Sequence, residues 1–332
     1  MGATPQKRAT IVDVAAVAGV SRQTVTRAMN DMPGINERTK QRVLDAAREL
    51  GYRPSRFGRG LAGSGQQTVG LMVHNLTNPY YPELAAAVVA HAARHGWSIV
   101  LLDLSEIDDQ PGFLTALAPQ VDALLGYVTL PHRELRRLLP GIPVVEIDAA
   151  DRTLPAGWGG IELDLAPGVR EAVAHLADRG VAHPIVLDSS PNDEPSSRAE
   201  LMVSEWRKRG VEPSVIVGNG DDVASAEAAT VAHLDQVERA DAIMAFNDHC
   251  AFGAMKALRR HGLRVPDDLR VVGVDGLTAG IYTTPELTTL GVDMDQAAEA
   301  AIEILRSMLD GDDTEEARRR RLSHRLILRE SA

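Results

Sequence analysis

The chain holds a single cysteine, Cys250, in 332 residues. One thiol excludes an internal disulfide framework and any zinc site built on several cysteines, and it fits a reducing compartment. Aromatic residues are scarce too, 4% against 44% hydrophobic residues in all, so the core must be aliphatic. No apolar run approaches the roughly 18 residues that suggest a membrane span, and the polar start MGATPQKRAT lacks a signal-peptide core. Phosphate loops are missing: no G-x-x-x-x-G-K-[ST] occurs, and Gly63, Gly65 and Gly70 do not form G-x-G-x-x-G after a strand. Ser189 and Ser190 lack a nucleophile elbow, and His91 and His95, one helical turn apart, have no third ligand beside them. These absences predict a cytoplasmic protein with no cofactor, no metal, no membrane contact and no catalytic residues.

Charge is present but unevenly spread. The formal net charge is −11, yet residues 1–63 carry eleven Lys and Arg against five Asp and Glu, so this segment is +6 and the rest is −17. A basic segment on an acidic body predicts phosphate contacts at one end and repulsion from nucleic acid elsewhere. Within the basic segment, Thr10 to Asn30 (TIVDVAAVAGVSRQTVTRAMN) reads as two short helices turning at Gly19, the pattern of a helix-turn-helix. Val12, Val14, Ala15 and Ala18 recur at helical spacing, and Ser21 is placed to cap a second helix that presents Arg22, Gln23, Thr26 and Arg27. Arginine reads guanine O6 and N7 with two hydrogen bonds, and glutamine reads adenine N6 and N7 in the same way. Asn36 then caps a third helix from Glu37 to Leu50, with Val43, Leu44, Ala47 and Leu50 on one face. The stretch that follows, YRPSRFGRGLAG, carries Arg56, Arg59 and an isolated Leu61 among three glycines. Two readings of it stand: a segment that folds on DNA and drives Leu61 into the minor groove, or a flexible tether.

From Gln67 the pattern changes to short apolar runs alternating with amphipathic stretches. TVGLMV, SIVLLDL, ALLGYV and PVVEID read as buried strands with helices beginning near Pro79, Pro111 and Pro131; PIVLD, SVIVG, AIMAF and RVVGVD form a second series, with LSHRLIL as the last strand after the basic run Arg318 to Arg321, read as a solvated turn. The intervening helices are expected over Leu165 to Arg179, Ser196 to Arg209, Val223 to Gln236 and Asp248 to His261. Such βα alternation predicts an α/β fold with parallel sheets covered on both faces, as two similar lobes. Ligands bind such sheets beyond the carboxyl ends of the strands, which points to His74, Asn75, Asn78, Asp148, Asp188, Ser189, Asn247, Asp248 and Asp275.

Over nearly its whole length the chain resembles LacI/GalR-family transcriptional regulators. The resemblance runs through DVAAVAGVSRQTVTRAMN, ERTKQRVLDAARELGYRPSR and a hinge ending at Leu61-Ala62-Gly63, and continues in Asn78-Pro79-Tyr80-Tyr81, AFNDHCAFGAMKALRRHGLRVPDDLRVVGVDG and LTTLGVDMDQAAEAAIEIL. It implies an N-terminal helix-turn-helix DNA-binding domain over 1–53, a hinge helix or linker over 54–66, and an effector-binding and dimerisation domain over 67–332. That domain would be a periplasmic-binding-protein-like core of two doubly wound parallel-sheet lobes, with crossovers near 148–164, 276–292 and 318–324. The implied function is a repressor that binds a palindromic operator as a homodimer and answers to a small-molecule effector in the cleft between the lobes. By position, Ser21, Arg22, Gln23 and Arg27 would enter the major groove, with Thr10, Thr26 and Asn30 near phosphates, Arg56 in the hinge and Leu61 as the wedge. For Arg22, a base contact and a phosphate contact both remain open.

The effector residues implied by the resemblance depart from the family's sugar-binding pattern. Asp148 is followed by Ala149 rather than arginine, the residue four before Trp206 is Met202, and the position after the crossover threonines is Val292. Asn247 and Asp275 match cleanly, with His74, Asn75 and Asn78 at the same strand ends. Tyr80, Tyr81, Met202, Phe246 and Val292 would then line a more apolar pocket whose polar end is Asp275 and Asn247, unlike a typical sugar site, unless Arg198 takes the missing role. A cytoplasmic small-molecule binding protein without DNA output is the second functional class, and an enzyme on a Rossmann-like body the third.

Overall fold

A computed structural model of the chain describes residues 9–29, 32, 34–50, 52, 67–105, 107–149, 154–190, 194–311 and 314–332. Its amino-terminal part is three helices, α1 (Ile11–Ala18), α2 (Arg22–Met29) and α3 (Glu37–Glu49). Each begins where a side chain satisfies a free amide of the first turn. Thr10 and Asp13 form a reciprocal capping box, with the Thr10 amide donating to the Asp13 carboxylate at 2.7 Å. Ser21 Oγ accepts from the Thr24 amide at 3.1 Å, and Asn36 Oδ1 from the Thr39 amide at 2.7 Å. Gly19 ends α1 at φ +63°, a conformation that glycine reaches without strain. Val14, Ala15, Ala18, Val25, Ala28, Val43, Ala46 and Ala47 form the core, with Ile11 packed against it. Val12, grouped by spacing with this face, is instead 52% exposed. Residues two apart on a helix point away from each other, and the true stripe is Ile11, Val14, Ala15 and Ala18.

The body contains two six-stranded sheets. The first has the order β11-β5-β4-β3-β1-β2, from β1 (Thr68–Val73), β2 (Ser98–Asp103), β3 (Ala123–Gly126), β4 (Val144–Ile147), β5 (Trp158–Asp164) and β11 (Arg319–Ser323). The helices α5 (Gln110–Leu117) and α6 (His132–Leu138) pack on it, while α4 (Tyr80–Arg94), which follows β1, is divided between the two compact units at Ala87 and Val88. The second has the order β12-β10-β9-β8-β6-β7, from β6 (Pro184–Ser189), β7 (Ser214–Gly218), β8 (Ala242–Ala245), β9 (Arg270–Asp275), β10 (Thr288–Gly291) and β12 (Arg325–Ile327). Around it lie α7 (Ala166–Asp178), α8 (Ser197–Arg207), α9 (Val223–Ala232), α10 (Leu234–Val237) and α11 (Asp248–Arg260), followed by α12 (Met294–Asp310) and α13 (Glu315–Arg318). Strand alternation divides the second sheet's apolar residues between two cores: Val186, Met244 and Val272 pack with Met202 and Trp206, whereas Ile185, Ile243 and Val271 pack with Ala251, Ala254 and Leu258.

Several sequence expectations need correction. The chain divides into two compact units, one ending at Asn75 and resuming over Val88–Gly160 and Glu299–Arg319, the other made of Leu76–Ala87, Ile161–Ala298 and Arg320–Ala332. The window 276–292, expected to hold the second crossing, therefore lies wholly in the second unit. The reason is β10, which pairs parallel to β9 with all four residues buried. LSHRLIL is not one strand but parts of β11 and β12, in different sheets, separated at His324, whose amide donates to the Asp164 carbonyl at 2.9 Å. The basic run is not a solvated turn throughout, because Arg321 lies in β11 and pairs with Asp164 at 2.7 Å and Glu162 at 3.3 Å.

Candidate functional sites

On α2, Arg22, Thr26, Gln23 and Arg27 occupy one arc of about 140°, which follows from 3.6 residues per turn. Val25 and Ala28 lie outside that arc and are buried against α1 and α3. Arg22, Gln23 and Arg27 are exposed. The three hydroxyl residues are tied to local structure: Thr10 donates to Asp13 at 2.7 Å, Ser21 caps α2, and Thr26 Oγ1 donates to the Arg22 carbonyl at 3.1 Å. Asn30, Arg56 and Leu61, with the whole hinge over 54–66, lie outside the described residues.

The strand ends of the second unit gather a different chemistry. Asp275 ends β9 at φ +125°, almost completely buried. Burial pushes its carboxyl well above the usual carboxylate range; Asp248, Asp221 and Glu83 push the same way, and Arg198 opposes them. Arg198, from the first turn of α8, sets its guanidinium 4.0 Å from Asp275 and 4.5 Å from the centre of the Phe246 ring, and donates to the Phe246 carbonyl. Arginine over an aromatic face is electrostatically favourable and limits the rotamers the guanidinium samples. Tyr81 lies within electrostatic reach of Asp275, Asp221 and Arg198, its phenol raised chiefly by burial, and its ring meets that of Tyr80 edge-on at 5.4 Å.

Not every expected residue joins this group. Met202 is fully buried beside Trp206 in the core and offers no surface to a ligand. It sits one turn beyond Arg198 on α8, and the arginine faces Asp275 in its stead. Val292 is also buried. Asn247 caps α11, accepting from the Cys250 amide at 2.7 Å and donating to the Asp221 carbonyl at 3.0 Å. Asn78 is buried and accepts from the Tyr80 amide at 3.0 Å, so it shapes the start of α4. Asp188 accepts from the Ser196 amide and hydroxyl at 2.7 and 2.6 Å and positions α8. In the first unit, His74 follows β1 exposed, Asn75 is half-buried, and Asp148 follows β4 exposed at φ +62°. Sequence reasoning passed over Glu83, Asp221 and Thr289; a glutamate inside a helix and a threonine inside a strand carry no signal of their own. Among the described residues, no group of three His, Cys, Asp or Glu is placed to hold a metal, and no helix is long and apolar enough to cross a membrane.

Residues 10–55 match the profile of bacterial regulatory proteins of the lacI family, and residues 173–332 that of a periplasmic binding protein-like domain. The chain is 32% identical to a ribose operon repressor of Halalkalibacterium halodurans over 85% of this chain and 84% of that protein. Among solved structures it is similar to a LacI family transcriptional regulator from Arthrobacter sp. FB24 in complex with lactose, at 33% identity and a TM-score of 0.75, over 80% of this chain and 99% of that one. It is also similar to a Lac repressor dimer bound to operator and the anti-inducer ONPF, at 27% identity and a TM-score of 0.69, over 98% and 99% of the two chains.

Proposed function

The chain belongs to the LacI family of bacterial regulatory proteins, a DNA-binding transcriptional repressor with a small-molecule effector, and we propose that it acts in the cytoplasm as a homodimer on a palindromic operator. The observation that carries this reading is the exposed Arg22, Gln23 and Arg27 arc of α2. Arg22 and Gln23 then favour half-sites containing G and A. Ser21 enters the major groove with Arg22, Gln23 and Arg27; Thr10, Thr26 and Asn30 serve the backbone side of the interface, and Arg56 and Leu61 act in the hinge. Self-association is supported by exposed apolar side chains of the first unit, Val89 on α4 and Val100 and Leu101 on the edge strand β2. No catalytic role is proposed for any residue.

For the effector, the proposed contacts are Asp275, Arg198, Phe246, Tyr80 and Tyr81. The absence of an arginine at Met202 had spoken against a sugar. Arg198 beside Asp275 meets that one of the three departures, the others being Ala149 after Asp148 and Val292, since a guanidinium and a carboxylate side by side match the acceptors and donors of vicinal hydroxyls. The proposed class is therefore a saccharide or a similar polyhydroxylated molecule, in keeping with the lactose complex of the Arthrobacter relative. A gel shift with the full-length chain and DNA flanking its own gene, with and without D-ribose and lactose, tests the proposal. A retarded complex that either sugar strengthens or weakens is expected. Retardation no stronger than with unrelated DNA of equal length would favour a binding protein without DNA output.

A further inference from the structure

Behind the Asp275 face lies a second carboxylate with no outlet to the surface. Asp248 opens α11 and is fully buried. One oxygen accepts from the Leu277 amide at 2.8 Å and the other from the Thr289 hydroxyl at 2.5 Å. Thr289 in turn accepts from the Gly276 amide at 3.2 Å, and Glu83 on α4 accepts from the Thr278 amide at 3.1 Å. Three consecutive amides after Asp275 are thus held by side chains from β10, α11 and α4. The turn they restrain is a strained one, with Asp275 at φ +125° and Gly276 at φ +75°. Room for the carboxylate comes from Gly273, where a Cβ would stand 2.1 Å from Asp248 Oδ1.

We propose that Asp248 is a positioning residue for effector recognition: through Leu277 and Thr289 it holds the turn over 276–278 and thereby keeps Asp275 in its left-handed conformation. The inference rests on the reading that Asp275 meets the effector. Asp248 is faced by Arg329 from the carboxyl-terminal stretch, Glu83 from α4 and Asp275 from the end of β9. Burial raises its carboxyl to about 7, against the pull of Thr289, Leu277 and Arg329. The direction of the pH effect follows from linkage. Freeing the turn alone leaves Asp248 buried but strips it of the Leu277 amide, a donor that favours the charged form, so its pKa rises further and acid promotes the opening.

Amide hydrogen exchange of the full-length chain, corrected for intrinsic rates, reads this directly at Leu277. Between pH 8 and pH 6, the wild-type protection of Leu277 should fall, by at most about tenfold, which is the change in the ionised fraction across a pKa near 7. In Asp248→Asn that pH dependence should vanish while the melting curve still shows a folded protein. In Asp275→Asn it should persist, because Asp275 is not the titrating group in this scheme. An unchanged pH profile in Asp248→Asn, or none in the wild type, would overturn the proposal. Calorimetry of Asp275→Asn with D-ribose and lactose separates the two readings: sugar binding undiminished by that substitution refutes Asp275 as an effector contact, whatever the exchange shows for Asp248.

Discussion

Counting along α8 put Met202 where an arginine was sought, and the proposed effector contact is Arg198, one turn earlier and 4.0 Å from Asp275. A polar partner lost from a buried contact costs about 1 to 3 kcal/mol. Arg198→Met should therefore weaken saccharide binding by roughly 5- to 150-fold in calorimetry, and Arg198→Lys should restore little, since an ammonium lacks the planar fork. Binding left intact in Arg198→Met would remove the guanidinium from the site. Asp275 and Asn247 stood out in the sequence as strand-end positions, where parallel sheets present their ligands, and of the two Asp275 enters the proposed effector contacts. Met202 packs in the core beside Trp206, a placement that sequence spacing does not give, because spacing does not say which face of an element turns to the core. Asp248 was visible as a strand-end residue, but its burial was not, because the room for its carboxylate comes from the glycine at 273 on a neighbouring strand.

At the scale of elements, the capping residues Ser21 and Asn36 marked the starts of α2 and α3, and Gly19 the turn after α1, more sharply than hydrophobic periodicity marked the faces. Thr10 illustrates the overlap of stability and function, since its hydroxyl is engaged with Asp13 where a phosphate contact was expected. Replacing an N-cap threonine with alanine costs about 1 kcal/mol. Thr10→Ala should lower protection of the α1 amides from exchange by about fivefold, and Thr10→Ser should leave it near wild type; equal protection in all three proteins would contradict the capping role. The main strands of both sheets were legible from their apolar runs. β5 was not, because WGGIELD mixes glycines and acids with its apolar residues, and neither was β10, because TTLG holds one aliphatic residue rather than an apolar run. Neither was the break of the expected Val223 to Gln236 helix into α9 and α10 at His233.

For the molecule as a whole, the division of charge is the physical basis of the account. A net +6 over residues 1–63 and −17 over the rest favours an arrangement in which only the amino-terminal part engages DNA. A single helix-turn-helix makes few base contacts, and pairing two modules about a two-fold axis doubles them on a symmetric site. The most direct measurement is selection of randomised duplex DNA by the full-length chain. The account predicts enrichment of one inverted repeat whose half-sites contain G and A, with preference at a single base pair per half-site relaxed by about 1 to 3 kcal/mol in Gln23→Ala. Recovery of no common sequence, or of one without two-fold symmetry that Gln23→Ala leaves untouched, would contradict it.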